Sequence, residues 1–233
     1  PRIYEADYGN AATSGGNIKA QVDFNSQHYI ASGAYLLRKN TTEDGFYIIY
    51  EFPASITDLL SFNDGNLYIG LGGSNNYWYM NTSEVFTQST RTGTVDPYIT
   101  YMAARGLAAG QTFYKTPDGK RGIYSTITPA NGGAAYSTVI NVGNADHDIT
   151  DMIGDATTLY IGKEDTTWYL DATDDDFILV EDIITLTRSD NCKNLHYAFG
   201  KVYIPAGDNG LVEHDSDGTD TWRSPSRYCT NLP

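Results

Sequence analysis

Three groups of residues in this sequence are of types that could do chemistry. Asp171, Asp174, Asp175 and Asp176 put four carboxylates within six residues, a density that suits Ca2+, which takes six to eight oxygen ligands. No EF-hand loop follows in register, and a solvated acidic turn is the competing reading. Tyr77 and Trp78, and again Trp168 and Tyr169, set flat aromatic rings beside Asn and Asp. Strand alternation sends neighbouring side chains to opposite faces. A face that reaches a loop edge is a sugar-stacking, ligand-binding surface, and packing between sheets is the competing reading. Cys192 and Cys229 are the two cysteines; they make either one disulfide or two free buried thiols.

A convergent catalytic set is missing. His28, His147, His196 and His214 are scattered, and no pair has the spacing of a helical metal motif. No Gly-x-Ser-x-Gly elbow supports a serine hydrolase. A sialidase-like glycoside hydrolase needs an arginine cluster for the substrate carboxylate and a tyrosine nucleophile. The arginines, from Arg2 and Arg38 through Arg105 and Arg188 to Arg227, are spread along the chain. The enzymatic reading is therefore the alternative, and a non-enzymatic structural or binding role leads.

The elements that would position these residues come from one repeated phrase. Ile149–Asp171 reads ITDMIGDATTLYIGKEDTTWYLD, and Ile56–Asn81 reads ITDLLSFNDGNLYIGLGGSNNYWYMN, the same phrase with three extra residues. Leu159-Tyr160-Ile161 and Thr167-Trp168-Tyr169-Leu170 are strand-favouring runs, joined by the polar turn 163–166. With the preceding run 149–153 they predict three antiparallel strands, which need neighbours of the same kind to bury both faces. Tyr68, Tyr114, Tyr160 and Tyr203 recur at intervals of 46, 46 and 43 residues. An earlier copy is expected at 33–37, with Tyr35 as its tyrosine and 46–50 as its second strand.

A strand-only repeat of this length predicts an all-β fold, a β-propeller of about five blades with repeats of roughly 43–47 residues. The expected repeats are 27–55, 56–98, 99–148, 149–191 and 192–233, in a single domain over 1–233. The alternating run 18–24 is expected to complete the last blade.

Composition bounds the rest. The 233 residues suffice for one large all-β domain. The 23 Gly supply turns, and the 19 Tyr suit half-buried strands with a wet edge. The formal charge of −14 argues against nucleic acid bound through phosphates and against an anionic membrane surface. No apolar run is long enough for a membrane span. The chain begins at Pro1, so a processed chain or a piece of a longer one is expected.

The segment Pro129–Tyr136, with Asn131, Gly133 and Tyr136, resembles a degenerate Asp-box, the hairpin turn of sialidase-like propellers. Together with LYIG…WYLD and YIPAGDNGLVEHD, it resembles propeller domains in virion proteins of tailed phages and related environmental viruses. That resemblance implies a structural or receptor-facing domain of a virus particle, in the virion or outside the cell. It also implies protein subunits of an assembly as partners and assigns no catalytic residues; glycans are the partners the aromatic surface would take. A cellular carbohydrate-binding propeller is the remaining alternative. Apart from Ca2+ on the acidic run, no cofactor is expected.

Overall fold

A computed structural model describes residues 18–42, 45–90, 95–107, 110–116, 122–131, 136–144, 146–170, 177–180, 184, 186–207, 210–215 and 220–223. They form five four-stranded antiparallel sheets, the blades of a five-bladed β-propeller. Blade one holds β1 (Ile18–Phe24), β2 (Gln27–Ser32), β3 (Tyr35–Lys39) and β4 (Phe46–Glu51). Blade two holds β5 (Asp58–Ser61), β6 (Asn66–Gly70), β7 (Trp78–Asn81) and β8 (Phe86–Gln88). Blade three holds β9 (Met102–Arg105), β10 (Thr112–Lys115), β11 (Gly122–Thr126) and β12 (Ile140–Asn141). Blade four holds β13 (Ile149–Gly154), β14 (Leu159–Lys163), β15 (Thr167–Leu170) and β16 (Ile178–Val180). Blade five holds β17 (His196–Ala198), β18 (Lys201–Pro205), β19 (Leu211–Asp215) and β20 (Asp220–Arg223). Within each blade every strand pairs with the next in sequence. Among the described residues no helix is long and apolar enough to cross a membrane.

Two compact units divide the chain: 1–102 with 128–136, and 103–127 with 137–233. In the first, Phe24, Tyr29, Leu36, Phe52, Leu67, Ile69 and Met80 share one core. In the second, Tyr160, Val180, Cys192, Val202, Ile204 and Val212 share another. The second strands of blades one to four are buried on both faces, while that of blade five alternates. In β2, Tyr29 and Ala31 face the first core, while Ile30 packs with Leu37 and Phe46 on the other side. A strand covered on both faces needs a continuous apolar run rather than alternation, which is why the phrase Leu-Tyr-Ile repeats.

Blade one corrects the expected boundaries. Ile18–Phe24 was expected to close the last blade, but it pairs with β2 along its whole length, and blade five is complete from β17 to β20. The cause is local. Asn25 and Ser26 both adopt left-handed backbone, at φ 49° and 60°, as in a two-residue hairpin turn whose twist matches that of the strands. That turn folds β1 back onto β2. The tyrosine of the second strand is therefore Tyr29, not Tyr35, which lies on β3.

The Ile-Thr-Asp opening of the phrase has a mechanical role. Asp58 accepts the Leu59 amide at 2.8 Å through Oδ1 and the Met102 amide at 2.7 Å through Oδ2. Asp151 accepts Met152 N and Leu195 N, both at 2.8 Å, in the same way. Each carboxylate thus ties the first strand of its own blade to the backbone that starts the next blade. A charge-assisted bond to backbone N–H is among the stronger hydrogen bonds, and here it fixes the spacing of successive sheets.

Candidate functional site: a polar cleft on the first two blades

Tyr29, Arg38 and Tyr47 stand directly opposite one another across β2, β3 and β4. Cross-strand partners lie on one face of a sheet, so the three make a row of ring, guanidinium and ring. Opposite them is the turn between β7 and β8. Asn81 Oδ1 accepts the amides of Ser83 at 2.9 Å and Val85 at 3.1 Å, and Glu84 sits in left-handed backbone at φ 57°. An Asx-type turn of this kind supplies the bend. Glu84 Oε1 accepts a hydrogen bond from Tyr29 OH at 3.0 Å and another from Arg38 Nη1.

The rest of the cleft is amide and hydroxyl. Asn40 is 5% exposed; its Nδ2 donates to Tyr47 OH at 2.7 Å, and its Oδ1 accepts from Thr42 N and Oγ1 at 2.9 and 3.0 Å. Asn25 Nδ2 donates to the Thr82 carbonyl at 3.3 Å. Gln27, Lys39, Thr41 and Ser83 complete the lining of a space of about 480 Å3, within the usual range for small-ligand pockets.

Electrostatics keep the phenol of the cleft a hydrogen-bond donor. The Tyr29 phenol is pushed up to about 12, first by burial and then by its hydrogen bond to Glu84 and that carboxylate's charge, with Arg38 opposing. It stays protonated and acts as a donor. A phenol recruited as nucleophile needs a lowered pKa or an adjacent base free to take its proton. Glu84 is engaged by two donors, and among the described residues one arginine, Arg38, lines the cleft.

The residues singled out from sequence lie elsewhere. Trp78 is half-buried among Tyr50, Phe52 and Phe86, with ring centroids 5.6 Å from Tyr50 and 5.8 Å from Phe52. Tyr77 is fully buried and donates to the Pro129 carbonyl at 2.5 Å, so a ligand reaches its ring only if that packing opens. Trp168 donates from Nε1 to Thr166 Oγ1 at 3.0 Å. Tyr169 packs against Tyr160 and His214, at 5.9 and 5.5 Å between centroids. The structure therefore distributes the four rings over blades two and four and brings none of them to the cleft.

Cys192 is buried, with Sγ 3.1 Å from Thr167 Oγ1. Burial pushes its thiol up to about 11. Cys229, the acidic run Asp171, Asp174, Asp175 and Asp176, and Gly133 of the box-like segment lie outside the described residues. Among the described residues no group of three or more His, Cys, Asp or Glu side chains is placed to hold a metal ion.

Sequence reading missed the cleft. Its residues come from four separate stretches, and the signals available were faint: Asn25-Ser26 as a hairpin turn, and the alternation of Tyr29 with Gln27 and of Arg38 with Asn40.

No family model and no curated protein matches the chain. Solved structures do. The extracellular domain of BT4673 from B. thetaiotaomicron is 18% identical, with a TM-score of 0.66 over 92% of this chain and 29% of that one. Virginiamycin B lyase from Staphylococcus aureus is 12% identical, with a TM-score of 0.64 over 90% of this chain and 70% of that one. An auxiliary nutrient binding protein from Bacteroides thetaiotaomicron VPI-5482 is 9% identical, with a TM-score of 0.61 over 89% and 56%. This chain thus spans under a third of the first of these and just over half of the last. At such identities the likeness defines the class of fold, a β-propeller, and nothing finer. A lyase and a binding protein stand side by side among these similar structures, as expected where function resides in sites grafted on a shared fold.

Proposed function

We propose that the chain is a non-enzymatic binding propeller of an extracellular assembly, and that it takes a small polar ligand in the cleft on blades one and two. The observation that carries this reading is the state of the cleft's ionisable groups. Arg38 and Glu84 engage each other, and Tyr29 is held protonated. Such a site offers fixed donors and acceptors but no activated nucleophile. The likeness to an extracellular domain and to a nutrient binding protein supports a place outside the cell. The finer form of the reading, a subunit of a virus particle contacting other protein subunits, rests on the repeated blade phrases; none of the three similar structures named above is viral.

Mass spectrometry of a mixed glycan library incubated with the purified chain tests the enzymatic question. Unchanged glycans are the expected result. Shortened glycans would overturn the proposal and direct attention to the arginines. Finding the chain in purified particles tests the virion form.

A further inference from the structure

We infer that the cleft is a saccharide site, built for a neutral sugar unit. This inference rests on the binding reading above and adds the chemistry of the ligand. Asn25, Gln27, Tyr47, Thr82 and Ser83 line the cleft, and each carries a group or groups that both donate and accept hydrogen bonds. A sugar hydroxyl does the same, so a ring of hydroxyls can satisfy such a lining from every side. A carboxylate only accepts and an ammonium only donates, and either would leave half of the lining unmatched.

The charges in the cleft point the same way. The hydrogen bonds from Tyr29 and from Arg38 both fall on Glu84 Oε1, leaving Oε2 as an acceptor beside the remaining guanidinium N–H donors. A neutral ligand uses that acceptor and those donors without breaking the pair. A charged ligand has to compete with it. The formal charge of −14 further disfavours polyanionic glycans through the field of the whole chain. Lys39 is exposed at the rim, where water screens it.

Shape and rigidity agree. A space of about 480 Å3 accommodates one or two sugar rings on the scale of small-ligand pockets. Tyr47 is partly exposed and offers a ring against which the apolar face of a sugar can lie. Tyr29 and Asn40, only 2% and 5% exposed, are held by their own hydrogen bonds, so little ordering remains to be done when the ligand arrives.

The test is amide-shift mapping by NMR on the whole chain. The probes are methyl glucoside, methyl galactoside and methyl mannoside, then glucuronate and glucosamine, and finally a set of free amino acids. At least one neutral glycoside is expected to shift amides in 25–47 and 82–84, with glucuronate and glucosamine shifting them far less. Gln27→Ala, a change at a partly exposed side chain, is expected to weaken that binding about tenfold, the worth of one good hydrogen bond. Equal or larger shifts with the charged sugars overturn the inference, as do neutral-sugar shifts that map elsewhere, or an unweakened Gln27→Ala. Shifts at the cleft from amino acids alone overturn the saccharide assignment and leave the binding reading standing. No shift at the cleft from any probe overturns both.

Discussion

Blades two and four are built from the same phrase, yet they solve one structural problem with opposite chemistry. Both carry Leu-Tyr-Ile-Gly on the second strand, and the next residue is Leu71 in one and Lys163 in the other. Both side chains are buried, at 4% and 0% exposure. Leu71 belongs to the core it shares with Leu67, Ile69 and Met80. Lys163 instead sends its ammonium to the carbonyls of Val142, at 2.8 Å, and Asn144. A repeat can therefore exchange an apolar contact for a buried cation when the neighbouring loop presents carbonyls to receive it.

The sharpest way to break this comparison is to exchange the two residues. Leu71→Lys places an ammonium in an apolar core, and a loss of about 3–5 kcal/mol in urea unfolding is expected, the cost of an uncompensated buried charge. A loss below about 1 kcal/mol would show that blade two also offers an acceptor or a route to water.

The glycine of the phrase gives the next largest effect. A Cβ at Gly162 would run into Cys192 Cβ, and one at Gly70 would come within 2.9 Å of Ile99 Cγ2. Ile99 Cγ2 is a branch methyl that yields only by a shift of χ1, whereas Cys192 Cβ is fixed to its backbone and stands closer. Both sites also face a carbonyl oxygen, of Cys192 at 3.0 Å and of Ile99 at 3.1 Å. Gly162→Ala is expected at the upper end of the overpacking range of about 1–3 kcal/mol and Gly70→Ala nearer the lower end, read as the order of their melting temperatures.

Lys163→Met completes the exchange with a smaller expected loss of about 2 kcal/mol. The aliphatic stem is replaced in kind, and the cost comes from leaving the Val142 and Asn144 carbonyls short of a donor. Faster amide hydrogen exchange confined to the 140–144 segment would locate the damage there; a global change would not.

These differences also show what the sequence makes legible. The repeat of Tyr68, Tyr114 and Tyr160 marks second strands because a strand buried on both faces has few alternatives to Leu-Tyr-Ile. The first blade escapes that signal: its second strand reads Gln27-His28-Tyr29-Ile30-Ala31-Ser32, where Ala stands for Gly, and the Asn25-Ser26 turn that fixes it is only two residues long. The cleft is harder still. Glu84 reaches Tyr29 and Arg38 across 55 and 46 residues, a pairing that appears only once two blades have stacked. Of the four aromatic residues singled out in sequence, Tyr77 is interior, while Trp78, Trp168 and Tyr169 are half-buried and pack against neighbouring side chains.

What the two blades share is the aspartate that ties one sheet to the next, and it supplies the smallest and most conditional effect. Asp151→Asn keeps the shape but replaces one carboxylate oxygen by a donor, so one of the Met152 and Leu195 amides loses its acceptor, at a cost of about 1 kcal/mol. Asp58→Asn is expected to cost about the same. The pH dependence adds a sign. Burial raises the Asp151 carboxyl from 3.8 to about 6, against the opposing pull of its backbone donors. A raised acid binds its proton more tightly in the folded state, so the folded chain takes up a proton between about pH 4 and pH 6. The contribution of this group to stability is then largest below that window and is lost as pH rises through it. Asparagine does not titrate. The advantage of the wild-type chain over Asp151→Asn should therefore widen as pH falls from 7 to 4, in paired thermal melts that cancel every other carboxylate. A gap that narrows over the same range would mean that the two amide donors outweigh burial, so that the tie between sheets is an ordinary stabilised carboxylate.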